Sequence, residues 1–571
     1  MLCRVFGGLM TARDDLLPAM YTHRRIRLAT LLLLAVCWCN VAMGAVMTDR
    51  GLVQGVQQGD LTVYKGLPFA APPLGNMRWR PPQPVQAWSG ARLLNHFAPR
   101  CMQKGMYPEN APAEPMSEDC LYLNLWVPAH AAGTKLPVMV WIYGGGLDNG
   151  SGSTPLYAGD VLSRQGVIVV TFNYRLGVFG FLAHPELARE SSRHTTGNYG
   201  LLDQIAALRW VHDNVATFGG DPTRVTVFGQ SSGSISISAL SASPLAKGLF
   251  RYAIGESGGL FEPMNLSPDL TEAGAEKNGV AFAKRAGAAS ITALRQMPAS
   301  ALLKVPFTPA IILDGAVVTE PPAEAYRQGR INPSALLVGS NQDEGVIFLK
   351  GKHITPQTFD EILGHDFPPW LVKFAAPSPG RTGATAFAAA KRFEGDLRFH
   401  WDMWTWARLA TDSDKPVYLY RFEHPKPCAP AEACVAATRH GDEMAYVFGY
   451  DLAHPWSAQD RKLSRLMVAC WTRFAKTGSP EGCGLPDWPS YGDGNALMVL
   501  GNAPHLTSMR PDATLRRLDD IYRLASMIAP HPWIALVVAL LIVGAVGGLL
   551  IWLARRCWRG LWMDRNQSKV A

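Results

Sequence analysis

The chain has 571 residues, 48% of them hydrophobic and 18% charged, with a formal net charge of +8. That composition excludes a disordered or low-complexity chain and permits a large buried core. The charge is modest for the length and sits partly at the two ends (Arg24, Arg25, Arg27; Arg555, Arg556, Arg559), so it does not point to nucleic acid.

The first predicted element is a leader. His23-Arg24-Arg25-Ile26-Arg27 precedes an apolar run from Leu28 to Ala42, with small residues at Ala42, Gly44 and Ala45. A basic region, a short apolar stretch and a small-residue site describe a secretory signal peptide over residues 1–45, cut near Gly44 or Ala45. The lead-in is long, so translation from Met10 or Met20 is an alternative start. An uncleaved signal anchor is the competing reading, but the apolar run falls short of the ~20 residues a span needs.

Residues 46–530 follow as one exported domain of alternating strands and helices. Pro137–Tyr143 and Val167–Phe172 are compact apolar strands, and Leu201–Ala216 carries apolar residues at helical spacing. Gly219-Gly220-Asp221-Pro222 turns the chain into a strand over Arg224–Phe228, and Ala335–Val338 is a further strand. This alternation predicts an α/β fold with a central, mostly parallel sheet flanked by helices. In such sheets the chemistry gathers at the carboxyl ends of the strands.

The chain closes on Trp533–Ala554, 22 residues without a charge. That is long enough for one transmembrane helix. The tail 555–571 carries Arg555, Arg556, Arg559, Arg565 and Lys569 against one acid, Asp564. The positive-inside rule places this tail in the cytoplasm and the preceding domain in the periplasm or outside the cell. Gly544 and Gly548 form a small-residue pair that leaves a homodimer open. Six of the ten cysteines lie in the exported part: Cys101, Cys120, Cys428, Cys434, Cys470 and Cys483. No spacing suits zinc, so no metal or cofactor is expected; export favours disulfides, and pairing between neighbours is the simplest of 15 arrangements.

Three constellations fall at strand ends. Gly229-Gln230-Ser231-Ser232-Gly233 lies between the strand ending at Phe228 and an apolar stretch through Ile235, Ile237 and Leu240. Strand, G-x-S-x-G and helix make an elbow that lifts the serine oxygen clear of the sheet. Gly255-Glu256-Ser257-Gly258-Gly259 has the same pattern, but Pro263 follows closely and no helix begins there. Ser257 is therefore read as a structural residue at a strand end, and Ser231 as the nucleophile. Gly144-Gly145-Gly146 ends an apolar strand and offers amides for an oxyanion, with Gly145, Gly146 and Ser232 as the donors. An acid and a histidine should follow in that order. Asp343 and Glu344 both follow a strand, and His440 is one of 14 histidines that spacing alone does not separate.

Further segments carry a resemblance. Lys65–Pro73, Glu118–Asn124, Trp141–Gly146, Asn173–Gly177, Gly197–Asp203, Phe218–Pro222 and Phe474–Gly478 occur in the order of the type-B carboxylesterase/lipase family. The exported domain resembles that family, the cholinesterase-like branch of the α/β-hydrolases, from about Gly51 to Tyr522. The resemblance implies an α/β-hydrolase fold and a serine carboxylesterase acting through an acyl-enzyme. It implies Glu344 as the acid, His440 as the base and a Cys101–Cys120 disulfide. The chain departs from the family at Gln230, where glutamate is usual, at Ser232 and Ser234, and at Tyr143, where many esterases have histidine. No tryptophan lies between Cys101 and Cys120, where choline-hydrolysing relatives carry their cation-binding indole. Both features favour neutral small-molecule esters. A lipase for longer acyl chains is the nearest alternative. A catalytically inactive adhesion domain is the more distant one, and intact Ser231, Glu344 and His440 argue against it.

Overall fold

The computed structural model describes residues 45–528 except 106–113, 130, 132, 134, 263, 265–266, 379–382, 426–436 and 451–454. Eleven strands form one sheet: β1 (Val56–Gln58), β2 (Leu61–Pro68), β3 (Tyr122–Pro128), β4 (Leu136–Ile142), β5 (Ile168–Phe172), β6 (Gly220–Gln230), β7 (Tyr252–Glu256), β8 (Ala335–Asn341), β9 (Val417–Phe422), β10 (Ala496–Leu500) and β11 (His505–Ser508). Their order is β11-β10-β9-β8-β7-β6-β4-β5-β3-β2-β1. The seven strands from β10 to β5 run parallel, and antiparallel pairing is confined to the two edges.

The central strands are largely apolar because helices cover both faces. Val138, Met139, Val140, Trp141 and Ile142 of β4 are all fully buried. Six helices matter for the site: α1 (Tyr199–Asn214), α2 (Ser232–Ala242), α3 (Gly383–Gly395), α4 (Trp401–Asp412), α5 (Ala458–Thr477) and α6 (Ala513–Ile528). The helix expected over 201–216 is thus α1, extended by a 3-10 turn over Val215–Phe218. The strand expected from Arg224 begins earlier, at Gly220, with a register shift against β4 before Val225. That irregularity absorbs the turn residues Asp221 and Pro222 into the strand's start.

Disulfides join Cys101 to Cys120 and Cys470 to Cys483, as neighbour pairing proposes. Cys428 and Cys434, the leader and the run 533–554 lie outside the described residues. Among the described residues no helix is long and apolar enough to cross a membrane.

Candidate active site

β6 runs into Ser231 and α2 begins at the next residue, so strand, turn and helix are contiguous as expected. Ser231 has φ 55° and ψ −127°, a conformation that costs a residue with a side chain about 1–3 kcal/mol. The two glycines of the pentapeptide are dictated by the neighbouring strand. A Cβ on Gly229 would lie 2.5 Å from the Ile142 carbonyl oxygen, and one on Gly233 only 2.0 Å from it. The turn is therefore wedged against the end of β4, leaving the Ser231 side chain partly exposed.

The triglycine segment lies beside this turn. A Cβ on Gly144 would sit 2.8 Å from that of Ser231, and the Leu147 amide donates to Ser232 Oγ at 3.1 Å. Among the described residues the N–H groups of Gly145, Gly146 and Ser232 donate to nothing. Three unspent donors beside the amino end of α2 suit a developing negative charge. Tyr143 is fully buried and stacked on Tyr174, with ring centroids 4.5 Å apart.

Glu344 follows β8, and His440 lies on the segment between β9 and the helix Met444–Phe448. His440 Nδ1–H donates to Glu344 Oε2 at 2.6 Å. The other oxygen, Oε1, accepts from the Asn341 amide at 2.7 Å and from the Ser257 hydroxyl at 2.5 Å. Asp343, the neighbouring acid, is engaged elsewhere. It pairs with Lys391 and accepts from the Thr438 amide. Only Glu344 of the two is bonded to His440.

Three glutamates are fully buried here, and their partners separate them. Burial pushes Glu256 up to about 8, opposed only by the Trp471 indole N–H at 2.7 Å. Burial, together with the nearby Glu256 and Glu344 charges, holds Glu443 well above the carboxylate range. Burial also works against Glu344, but the charge and hydrogen bond of His440, the Ser257 hydroxyl and the charge of His400 bring it below its ordinary value. Glu344 is the acid that stays ionised, which is what orienting an imidazole and stabilising its charge requires.

One expected contact is absent. His440 Nε2, the atom that would take a serine proton, is 3.1 Å from Gln230 Nε2, and no hydrogen bond joins it to Ser231. With the proton on Nδ1, Nε2 is an acceptor and the Gln230 amide is its donor. The side chain noted only as a missing charge thus occupies the base.

Several contributors carried no sequence signal of their role. Ser257 was visible as a motif, and its place beside β8 gives it to Glu344. Asn341 donates its side-chain N–H to the Arg439 carbonyl at 2.7 Å and to Glu443, bracing the acid's strand against the histidine's segment. Phe399 stacks on His440, centroids 4.4 Å apart at 25°.

The chain is similar to proteins of one kind. The family profile described as "Carboxylesterase family" matches residues 42–513. The fumonisin B1 esterase of Sphingopyxis macrogoltabida is 38% identical over 469 residues, covering 80% of this chain and 86% of that protein. Carboxylesterase 1D of Rattus norvegicus is 32% identical over 548 residues, 86% and 94% of the two chains. Among solved structures, a PNB esterase superposes with a TM-score of 0.71 at 33% identity, covering 84% of this chain and all of its own. The chain belongs to the carboxylesterase family and hydrolyses carboxylic esters.

Proposed function

We propose that Ser231, His440 and Glu344 form the catalytic triad of this esterase, with Gly145, Gly146 and Ser232 as its oxyanion hole. The observation that carries the reading is the 2.6 Å bond from His440 to the buried Glu344 carboxylate, at the same strand ends as the strained turn at Ser231. Ser231 Oγ attacks the ester carbonyl as its proton passes to His440 Nε2. The imidazolium then protonates the leaving alcohol, leaving an acyl-enzyme. Water, deprotonated by the same nitrogen, attacks the acyl carbon and releases the acid. Glu344 holds the Nδ1 proton throughout. Gln230 must swing off Nε2 before attack, and it sets an uncharged amide beside the site. This supports neutral esters over cationic ones.

The enzyme's setting belongs to the same proposal. The leader-like start, the paired cysteines and the uncharged run 533–554 with its basic flank support an exported domain tethered to the membrane.

The test is turnover. Purified protein should hydrolyse p-nitrophenyl butyrate and favour neutral esters over choline esters of equal acyl length. Ser231→Ala should lower kcat by at least about a thousandfold while the fold persists. Full activity in that variant contradicts the assignment.

A further inference from the structure

A π-turn over Asp396–His400 separates α3 from α4. His400 lies in it with 16% of its side chain exposed, and both ring nitrogens meet acceptors. Nδ1 is 2.8 Å from Asp396 Oδ1, and Nε2 is 2.9 Å from the Asn341 carbonyl oxygen. A carbonyl has no proton to give, so Nε2 carries one. A second proton, on Nδ1, would let the ring donate to the Asp396 carboxylate as well. A neutral ring would satisfy only one of the two.

The acceptor on Nε2 belongs to the residue that organises the site. The Asn341 amide donates to Glu344 Oε1, and its side chain donates to the carbonyl of Arg439, next to His440. His400 is also close to Glu344 itself. A single methyl on Gly395 would come within 3.1 Å of His400 Cε1 and 3.5 Å of Glu344 Cβ. The wide turn further places the preceding residue, Phe399, against the His440 ring. A π-turn inside a helical run often marks such a functional constraint.

We propose that His400, charged through its bond to Asp396, is a positioning residue for the acid–base pair. It clamps Asn341, which ties Glu344 to the His440 segment, and it fixes a positive charge behind Glu344. The inference rests on the triad assigned above. Burial disfavours the charge, but Asp396, Glu344 and the Asn341 carbonyl outweigh it and lift the imidazole above its ordinary value. The groups facing it are Asp396 on its own turn, Glu344 and, around an adjoining cavity of about 440 Å³, Tyr420, Arg421, Arg392, Arg510 and the Lys391–Asp343 pair.

The test is the pH dependence of p-nitrophenyl butyrate hydrolysis by the full chain. His400→Gln keeps an N–H for Asn341 but no charge. We expect kcat to fall about tenfold with KM within about twofold, and the acid limb of kcat/KM to move up by about one pH unit, because a lost cation eases protonation of the base. Asp396→Asn should move the limb the same way, and His400→Lys, which keeps charge and donor, should return it. An unmoved limb in His400→Gln overturns the proposal, as does a loss that only tracks the folded fraction. Should these variants not fold, 15N NMR of histidine-labelled wild-type protein decides, the ring being assigned by its contact with Gly395. A ring that titrates above the ordinary 6.5, followed through its two 15N shifts against pH, supports the proposal, and one that titrates at or below it overturns the proposal. Ser231→Ala separates the two claims: its inactivity alongside an indifferent His400 refutes only this inference, while its activity refutes the triad.

Discussion

Ser231 and Ser257 end adjacent parallel strands, both inside G-x-S-x-G and both with positive φ. What divides them is surroundings. Ser257 is fully buried and its hydroxyl is committed to Glu344, whereas Ser231 is partly exposed beside three free amides. The five-residue pattern alone does not separate the two serines; the helix that follows Ser231, and is lacking directly after Ser257, is what favours Ser231. As a structural residue at a strand end, Ser257 also supplies one of the bonds that keep Glu344 charged. Removing a hydrogen bond to a buried carboxylate costs about 1.5–3 kcal/mol. Ser257→Ala is therefore expected to lower kcat/KM by about tenfold or more without moving the covalent label from Ser231. Labelling followed by peptide mapping checks both parts.

At the scale of elements, the strands were legible because a parallel sheet buried on both faces writes itself as short apolar runs. The contacts between elements were not. Nothing local marks Phe399 for His440 or Trp471 of α5 for Glu256 of β7, since those pairings exist only after the helices pack on the sheet. The Glu256 carboxyl yields a test of that packing. Burial raises it to about 8 from an ordinary 4.5. Between those values the folded chain keeps a proton that the unfolded chain has lost, so stability falls as pH rises from 4.5 to 8. Glu256→Gln keeps an acceptor for Trp471 and has no proton to lose. Its melting temperature should exceed that of the wild type by about 4 °C at pH 8 and converge with it near pH 4.5. A variant less stable than wild type at both values contradicts this.

For the whole molecule, the carboxyl ends of β4, β6, β8 and β9 deliver the triglycine, the serine, the acid and the histidine to one rim. Four segments separated by up to some 300 residues meet there, and no single segment identifies the site without the others. We propose that the two chain ends act on location rather than chemistry. The uncharged run 533–554 predicts that the full chain stays in the membrane pellet after alkaline carbonate washing. A chain ending at residue 530 should be released with its turnover intact. Release of the full chain would remove the tether from the account.

We propose that one serine of the two, Ser231, carries the acyl group. The most direct measurement is mass-spectrometric mapping of the residue modified by a fluorophosphonate in the full-length enzyme. A single adduct on Ser231 is expected, absent in Ser231→Ala. An adduct on Ser257, or labelling that survives Ser231→Ala, would contradict it.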